Sequence, residues 1–232
     1  MAENIHPGWY GKLPSTGDFL QRRLPEPIVA SWSNWFQQGL TWWHYHNDVS
    51  SNDFLRAPVW NFVLPATPGV QRIQMGCLLP SRDRVGRAWP LLALRSFSLS
   101  EWHPAQLALS GDWYHELGDT LLHGVRDRLS PDAMESRLLA LPPLPLPKNQ
   151  RSAIMDVIGY QNLPITLGWR EVADNFDPQR YISYWWSNRS DGYPHATHKH
   201  SGNLTAQLFS LLFNPAAGAQ PGRNGLYPPM FE

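Results

Sequence analysis

The chain has 232 residues, 42% of them apolar and 16% charged, with 19 basic residues balanced by 19 acidic ones. A protein that must neutralise many phosphates carries a basic excess, so general nucleic-acid binding and a polybasic membrane anchor are disfavoured. The single cysteine, Cys77, excludes an internal disulfide and a cysteine-rich zinc site.

Gly8 to Lys12 reads as a short strand bounded by glycines, and Leu13 to Asp18 carries turn chemistry in Pro14, Ser15, Thr16 and Gly17. Phe19 to Leu24 reads as a second, weaker strand. Pro25-Glu26-Pro27 opens a helix, because proline is tolerated in the first turn and an acid favours that end. Ile28, Trp32, Trp35, Phe36, Leu40 and Trp43 fall at offsets 0, 4, 7, 8, 12 and 15, one aromatic face of a helix. Trp42 lies off that face. Three strands are expected next, Ala57–Leu64, Arg72–Leu79 and Ala88–Phe97, joined by short connections that suggest antiparallel neighbours.

Pro104 starts a long helix kept in register by Leu107, Tyr114, Leu117, Leu121, Val125 and Leu129. Ser130 caps a shorter one from Pro131 to Leu141. The run 141–147 has four prolines and is extended chain. It divides residues 1–141, an α+β core, from 142–232, a Pro-linked segment packed on it within one structural domain. In that segment Ser152–Tyr160 suggests a helical turn, Tyr181–Ser187 a strand and Asn203–Phe213 a last helix, with 214–232 a tail. The fold class is α+β, a mostly antiparallel central sheet with helices on its faces.

Three stretches resemble a known family. They are Gly8-Trp9-Tyr10-Gly11-Lys12-Leu13-Pro14 running on to Gly17-Asp18-Phe19 and Arg22-Arg23-Leu24-Pro25; Leu79 to Arg87 with Trp89-Pro90-Leu91; and Ser183-Tyr184-Trp185-Trp186-Ser187. In this order they are similar to the TagF (ImpM) family, encoded with bacterial type VI secretion systems. Tyr184 stands where a leucine is more usual. The resemblance implies a cytoplasmic accessory protein that restrains secretion after translation, by binding a forkhead-associated scaffold protein of the apparatus. Some relatives carry a fused phosphatase domain, for which this chain has no room. The order of elements is also similar to a longin or profilin-type layout, by analogy of fold alone.

Ser81 to Arg87 places Arg82, Arg84 and Arg87 with Asp83 between two strands. Such a hairpin either presents guanidiniums to an acidic or phosphorylated partner or merely fixes its turns by pairing Asp83 or Asp18 with Arg87 or Arg22. As a partner surface it involves Asp18, Arg82, Arg84 and Arg87. Trp185 and Trp186 alternate across a strand, so one belongs to the core and the other is either an interface anchor or packed under the C-terminal segment. His195, His198 and His200 form H-x2-H-x-H, a metal-ligand pattern if extended but one that reads more simply as a solvated loop. His44 and His46 are equally bland.

Neither G-x-S-x-G, G-x-x-x-x-G-K-[ST], H-E-x-x-H nor G-x-G-x-x-G occurs, and Cys77 sits in an apolar strand, where a thiol is inert packing. No enzyme activity, cofactor, metal or nucleic-acid partner is therefore expected. Met1 to Tyr10 lacks a basic start and an apolar run, so no export signal is read there. The apolar stretches are too short to span a bilayer, and the expected compartment is the cytoplasm. The alternative is a carbohydrate- or peptidoglycan-binding protein, suggested by 12 tryptophans. A third reading, a hydrolase, requires a polar pocket with convergent His and Asp.

Overall fold

Alternating side chains along the central strands point to two different cores. In the computed structural model, which describes residues 5–46, 54–144, 170–187 and 198–213, one antiparallel sheet has the order β2-β1-β5-β4-β3-β6-β7. Its strands are β1 (Gly8–Gly11), β2 (Leu20–Arg22), β3 (Trp60–Leu64), β4 (Ile73–Leu79), β5 (Leu91–Phe97), β6 (Ile182–Trp186) and β7 (His198–Ser201). The helices are α1 (Glu26–His46), α2 (Pro104–Ala108), α3 (Gly111–Arg126), α4 (Pro131–Ala140), α5 (Arg170–Asn175) and α6 (Ala206–Phe213).

Trp9, Val63, Met75, Cys77, Leu91, Ala93, Tyr184 and Trp186 face α3 and α4. Their strand neighbours Tyr10, Phe62, Leu64, Leu78, Leu92, Leu94 and Trp185 face α1 and α6. This is the period of two expected of a strand, but with both faces covered the central strands read as continuous apolar runs. The aromatic face of α1 is buried as its periodicity predicts, and Trp32 and Phe62 meet at 4.9 Å between ring centres.

Several boundaries differ from the sequence reading, each for a local reason. β2 stops at Arg22 because Arg23 takes φ 57°, a left-handed turn that ends a strand. The single long helix expected from Pro104 is two. His103 caps α2, with its ring accepting from the Ala105 N–H and the Gln106 side chain accepting from the His103 N–H. Ser110 then donates its hydroxyl to the Leu107 carbonyl at 2.7 Å and closes that turn before α3 begins. Thr205 rather than Asn203 starts the last helix, since its hydroxyl accepts from the Leu208 N–H at 3.1 Å. Ser130 caps α4 as expected. The turn expected over 152–160 and the tail from 214 lie outside the described residues, as do residues 145–147 of the proline run.

The segment beyond residue 141 completes the same sheet. β6 pairs with β3, Phe62 opposite Trp185, and α6 lies on α1. There Gly39 makes the close approach possible: a Cβ on it would sit 2.1 Å from Phe209 Cγ. Gly39→Ala is therefore expected to cost about 1–3 kcal/mol of stability, read from urea unfolding. Gly39→Ala with Phe209→Leu should recover part of the loss; no recovery would mean that the glycine matters for another reason.

Candidate partner-binding platform

The two longest motifs lie about 60 residues apart in the chain and meet at one end of the sheet. The β1–β2 connection is drawn over the β4–β5 hairpin by a buried charge cluster. Gly11 has φ 138° and a Cβ there would lie 2.3 Å from the Pro90 carbonyl, so only glycine allows β1 to run this close to β5 and turn Lys12 inward. Lys12 donates to Asp83 Oδ2 at 2.9 Å, with side chains 7% and 0% exposed. Arg87 Nε donates to the same oxygen at 2.6 Å. The other oxygen accepts from the Val85 and Arg87 N–H groups at 3.1 and 2.9 Å. Burial opposes ionisation of Asp83, but the Lys12 ammonium and the Arg87 backbone and guanidinium outweigh it and hold the carboxyl well below the usual range.

The same cluster ties the loops together. Ser81 donates to the Lys12 carbonyl at 2.8 Å, the Arg84 N–H to the Thr16 carbonyl at 2.7 Å, and Arg87 Nη2 to the Gly17 carbonyl at 3.1 Å. Gly86, at φ 95°, turns the hairpin, and Arg82 bridges to Ala88. Phe19 packs edge-on to Trp89 at 4.9 Å and stacks with Tyr10 at 6.1 Å. The Lys12 ammonium lies 4.7 Å over the Phe19 ring.

Of the two readings of the arginine-rich stretch, the turn-fixing one is seen at Arg87. Arg87 is structural and pairs with Asp83. Arg82 and Arg84 are exposed and form no ion pair among the described residues, and neither does the exposed Asp18. Asp18 is thus not brought into a charge cluster with Arg84 and Arg87. Lys12, the buried second partner of Asp83, escaped the sequence reading. Its only signal is a lysine set between apolar strand residues, a position that demands a buried carboxylate without saying which.

Arg23, in the Arg22-Arg23-Leu24-Pro25 part of the first stretch, is also structural. Arg23 donates to the Pro7 carbonyl and to Glu135 on α4, and Trp9 Nε1 donates to the other Glu135 oxygen at 2.7 Å. Burial lowers the Arg23 pKa, and the neighbouring Arg22 charge adds to this.

Trp185 and Trp186 require a correction: both are fully buried, so neither is an interface anchor. Trp185 lies between Trp35 and Phe62, and Trp186 meets Tyr114 at 4.8 Å. Each face of β6 has a core of its own, so alternation here does not bring either ring to the surface. Tyr184, in the unusual position, is buried beside Phe176 at 6.2 Å. Eight tryptophans are buried, Trp42, Trp89 and Trp102 are half-buried, and Trp169 is outside the described residues. No described tryptophan is among the exposed large apolar residues.

The histidine stretch expected as a loop is instead strand β7. His198 and His200 share its inner face, and His195 lies outside the described residues. His198 packs against Trp60 at 6.0 Å, and burial pushes its pKa down to about 4. His200 Nε2 bonds the Asn203 carbonyl at 2.8 Å. No group of three or more His, Cys, Asp or Glu able to hold a metal occurs among the described residues. The Cys77 thiol is raised by burial and rests 3.0 Å from Asn61 Oδ1. No described helix is long and apolar enough to cross a membrane.

Fold and site together define an α+β protein whose motif residues lock two loops into a rigid, exposed platform. The model of the TagF N-terminal domain, type VI secretion system-associated, matches residues 8–141, more than half of the chain. The chain belongs to the TagF family. Its fold is similar to that of PA0076 from Pseudomonas aeruginosa PAO1, known from a crystal structure at 2.05 Å resolution, with a TM-score of 0.65. That likeness spans 97% of this chain and 98% of that one at 24% identity, and it is one of fold. No curated protein matches the chain.

Proposed function

We propose that this protein is a non-enzymatic negative regulator of type VI secretion. It acts after translation in the cytoplasm by binding the forkhead-associated scaffold protein of the apparatus and holding it in a form that does not assemble. Family membership supports the setting. The observation that carries the mechanism is the platform: the family-matched motifs spend their buried charges on fixing two loops and leave Phe19, Arg82, Arg84 and Val85 outside. A surface fixed before binding loses little entropy on docking, which suits a protein that works by occupancy.

The test is direct. Purified chain and purified scaffold are expected to co-elute as a complex in gel filtration, and raised expression of the chain should suppress secretion without lowering the amount of scaffold. Secretion that is suppressed with no complex formed, or a complex that leaves secretion untouched, contradicts this mechanism.

A further inference from the structure

The Leu13–Phe19 and Pro80–Pro90 loops differ sharply between inside and outside. Asp83 and Lys12 are paired inside, and the exposed Arg87 side chain is held on the same carboxylate. Outside stand two large apolar side chains, Phe19 at 52% and Val85 at 69% exposure, and on the same two loops Arg82 and Arg84 are exposed. Asp18 is the one exposed carboxylate on these two loops. Their outer surface therefore carries spare positive charge and apolar area, on a backbone tied at Thr16–Arg84 and Gly17–Arg87.

We infer that Phe19, Val85, Arg82 and Arg84 form a docking surface for an acidic segment of a protein partner. Carboxylates meet the two guanidiniums, and an apolar side chain of the segment covers Phe19 and Val85. Arginine suits this because its planar fork accepts a carboxylate bidentately. Nucleic acid fits less well. The Phe19 ring is already engaged by Tyr10, Trp89 and the Lys12 ammonium, so it offers no free platform for a base, and two guanidiniums cover little of a phosphate chain. The inference rests on the binding reading above and adds the chemistry of what is bound.

Fluorescence anisotropy on the full chain tests it, with a labelled peptide alternating glutamate and leucine and its glutamine and lysine counterparts. The glutamate peptide is expected to bind about tenfold tighter than the glutamine one, the size expected of two exposed ion pairs, with the preference fading in salt. In Arg82→Glu/Arg84→Glu the preference should reverse toward the lysine peptide. Both positions are exposed, so an unchanged melting temperature confirms that the variant is folded. Equal binding of glutamate and glutamine peptides, a preference that survives the double reversal, or equally tight binding of oligothymidylate overturns the inference.

A second arm uses the purified scaffold. If the double variant retains scaffold as well as the unaltered chain does, the docking surface fails and the regulatory reading stands. If neither retains it while the peptide preference holds and reverses, the regulatory reading fails and the surface stands.

Discussion

Replacing Asp83 by asparagine is expected to lower the unfolding free energy by about 3–5 kcal/mol, because it leaves the buried Lys12 ammonium without its counter-charge. Urea unfolding measures this as a lower midpoint at an unchanged slope. The substitution is nearly isosteric, and the amide oxygen still accepts from the Val85 and Arg87 N–H groups, so the loss reports charge rather than shape. Lys12→Met with Asp83→Asn removes both charges and should recover most of the loss. Arg87→Ala should cost no more than about 1 kcal/mol, since its side chain is 64% exposed and screened by water. A loss from Asp83→Asn no larger than that from Arg87→Ala would show that the cluster does not lock the platform.

The same cluster fixes the sign of the response to acid. The folded-state pKa of Asp83 lies below its unfolded value. Its contribution is therefore full above the usual carboxylate range and is lost as pH falls from about 4 toward the folded value. His198 acts in an earlier window. Its pKa is pushed from 6.5 down to about 4, so the unfolded chain binds the extra proton between those values and stability declines as pH falls through them. Unfolding midpoints measured from pH 7 downward should thus fall in two stages. His198→Gln should flatten the first stage and Asp83→Asn the second; unchanged stages in those variants would assign the acid response elsewhere.

The second large effect concerns chain length. A fragment ending at Leu144, which contains the whole family-matched stretch 8–141, is not expected to fold cooperatively. It lacks β6, β7 and α6, and with them the buried side chains Tyr184, Trp185, Trp186, Leu208, Phe209, Leu212 and Phe213. At about 1.5–3 kcal/mol for each fully buried apolar side chain, their loss removes on the order of 10–20 kcal/mol, as much as a typical domain's whole net stability. It also uncovers the edge of β3, an open template for aggregation. Two tryptophans of the fragment lose partners from the missing part: Trp35 Nε1 donates to the Thr205 carbonyl at 2.8 Å and Trp60 Nε1 to the Leu212 carbonyl at 2.9 Å. Near-ultraviolet circular dichroism and a melt decide the matter. A sharp transition in the fragment at the temperature of the full chain would mean that the C-terminal segment is an accessory.

Local pattern alone determined much of the architecture. The 3.6-residue stripe from Ile28 to Trp43 located α1 and its buried face, Ser130 located the start of α4, and short connections made the three central strands antiparallel neighbours. These are readable because periodicity, caps and turns are properties of contiguous residues. The division of the long helix at Ser110 was less accessible: the capping hydrogen bonds of His103, Gln106 and Ser110 compete with an unbroken apolar register. β7 was hidden because its inward residues are histidines, polar by composition and buried only through what they pack against. The pairing of Lys12 with Asp83, the burial of both Trp185 and Trp186, and the exposure of Arg82, Arg84 and Phe19 were decided only by tertiary structure. Each depends on which strands become neighbours and which faces are covered, and no spacing along the chain encodes the distance between residues 71 positions apart.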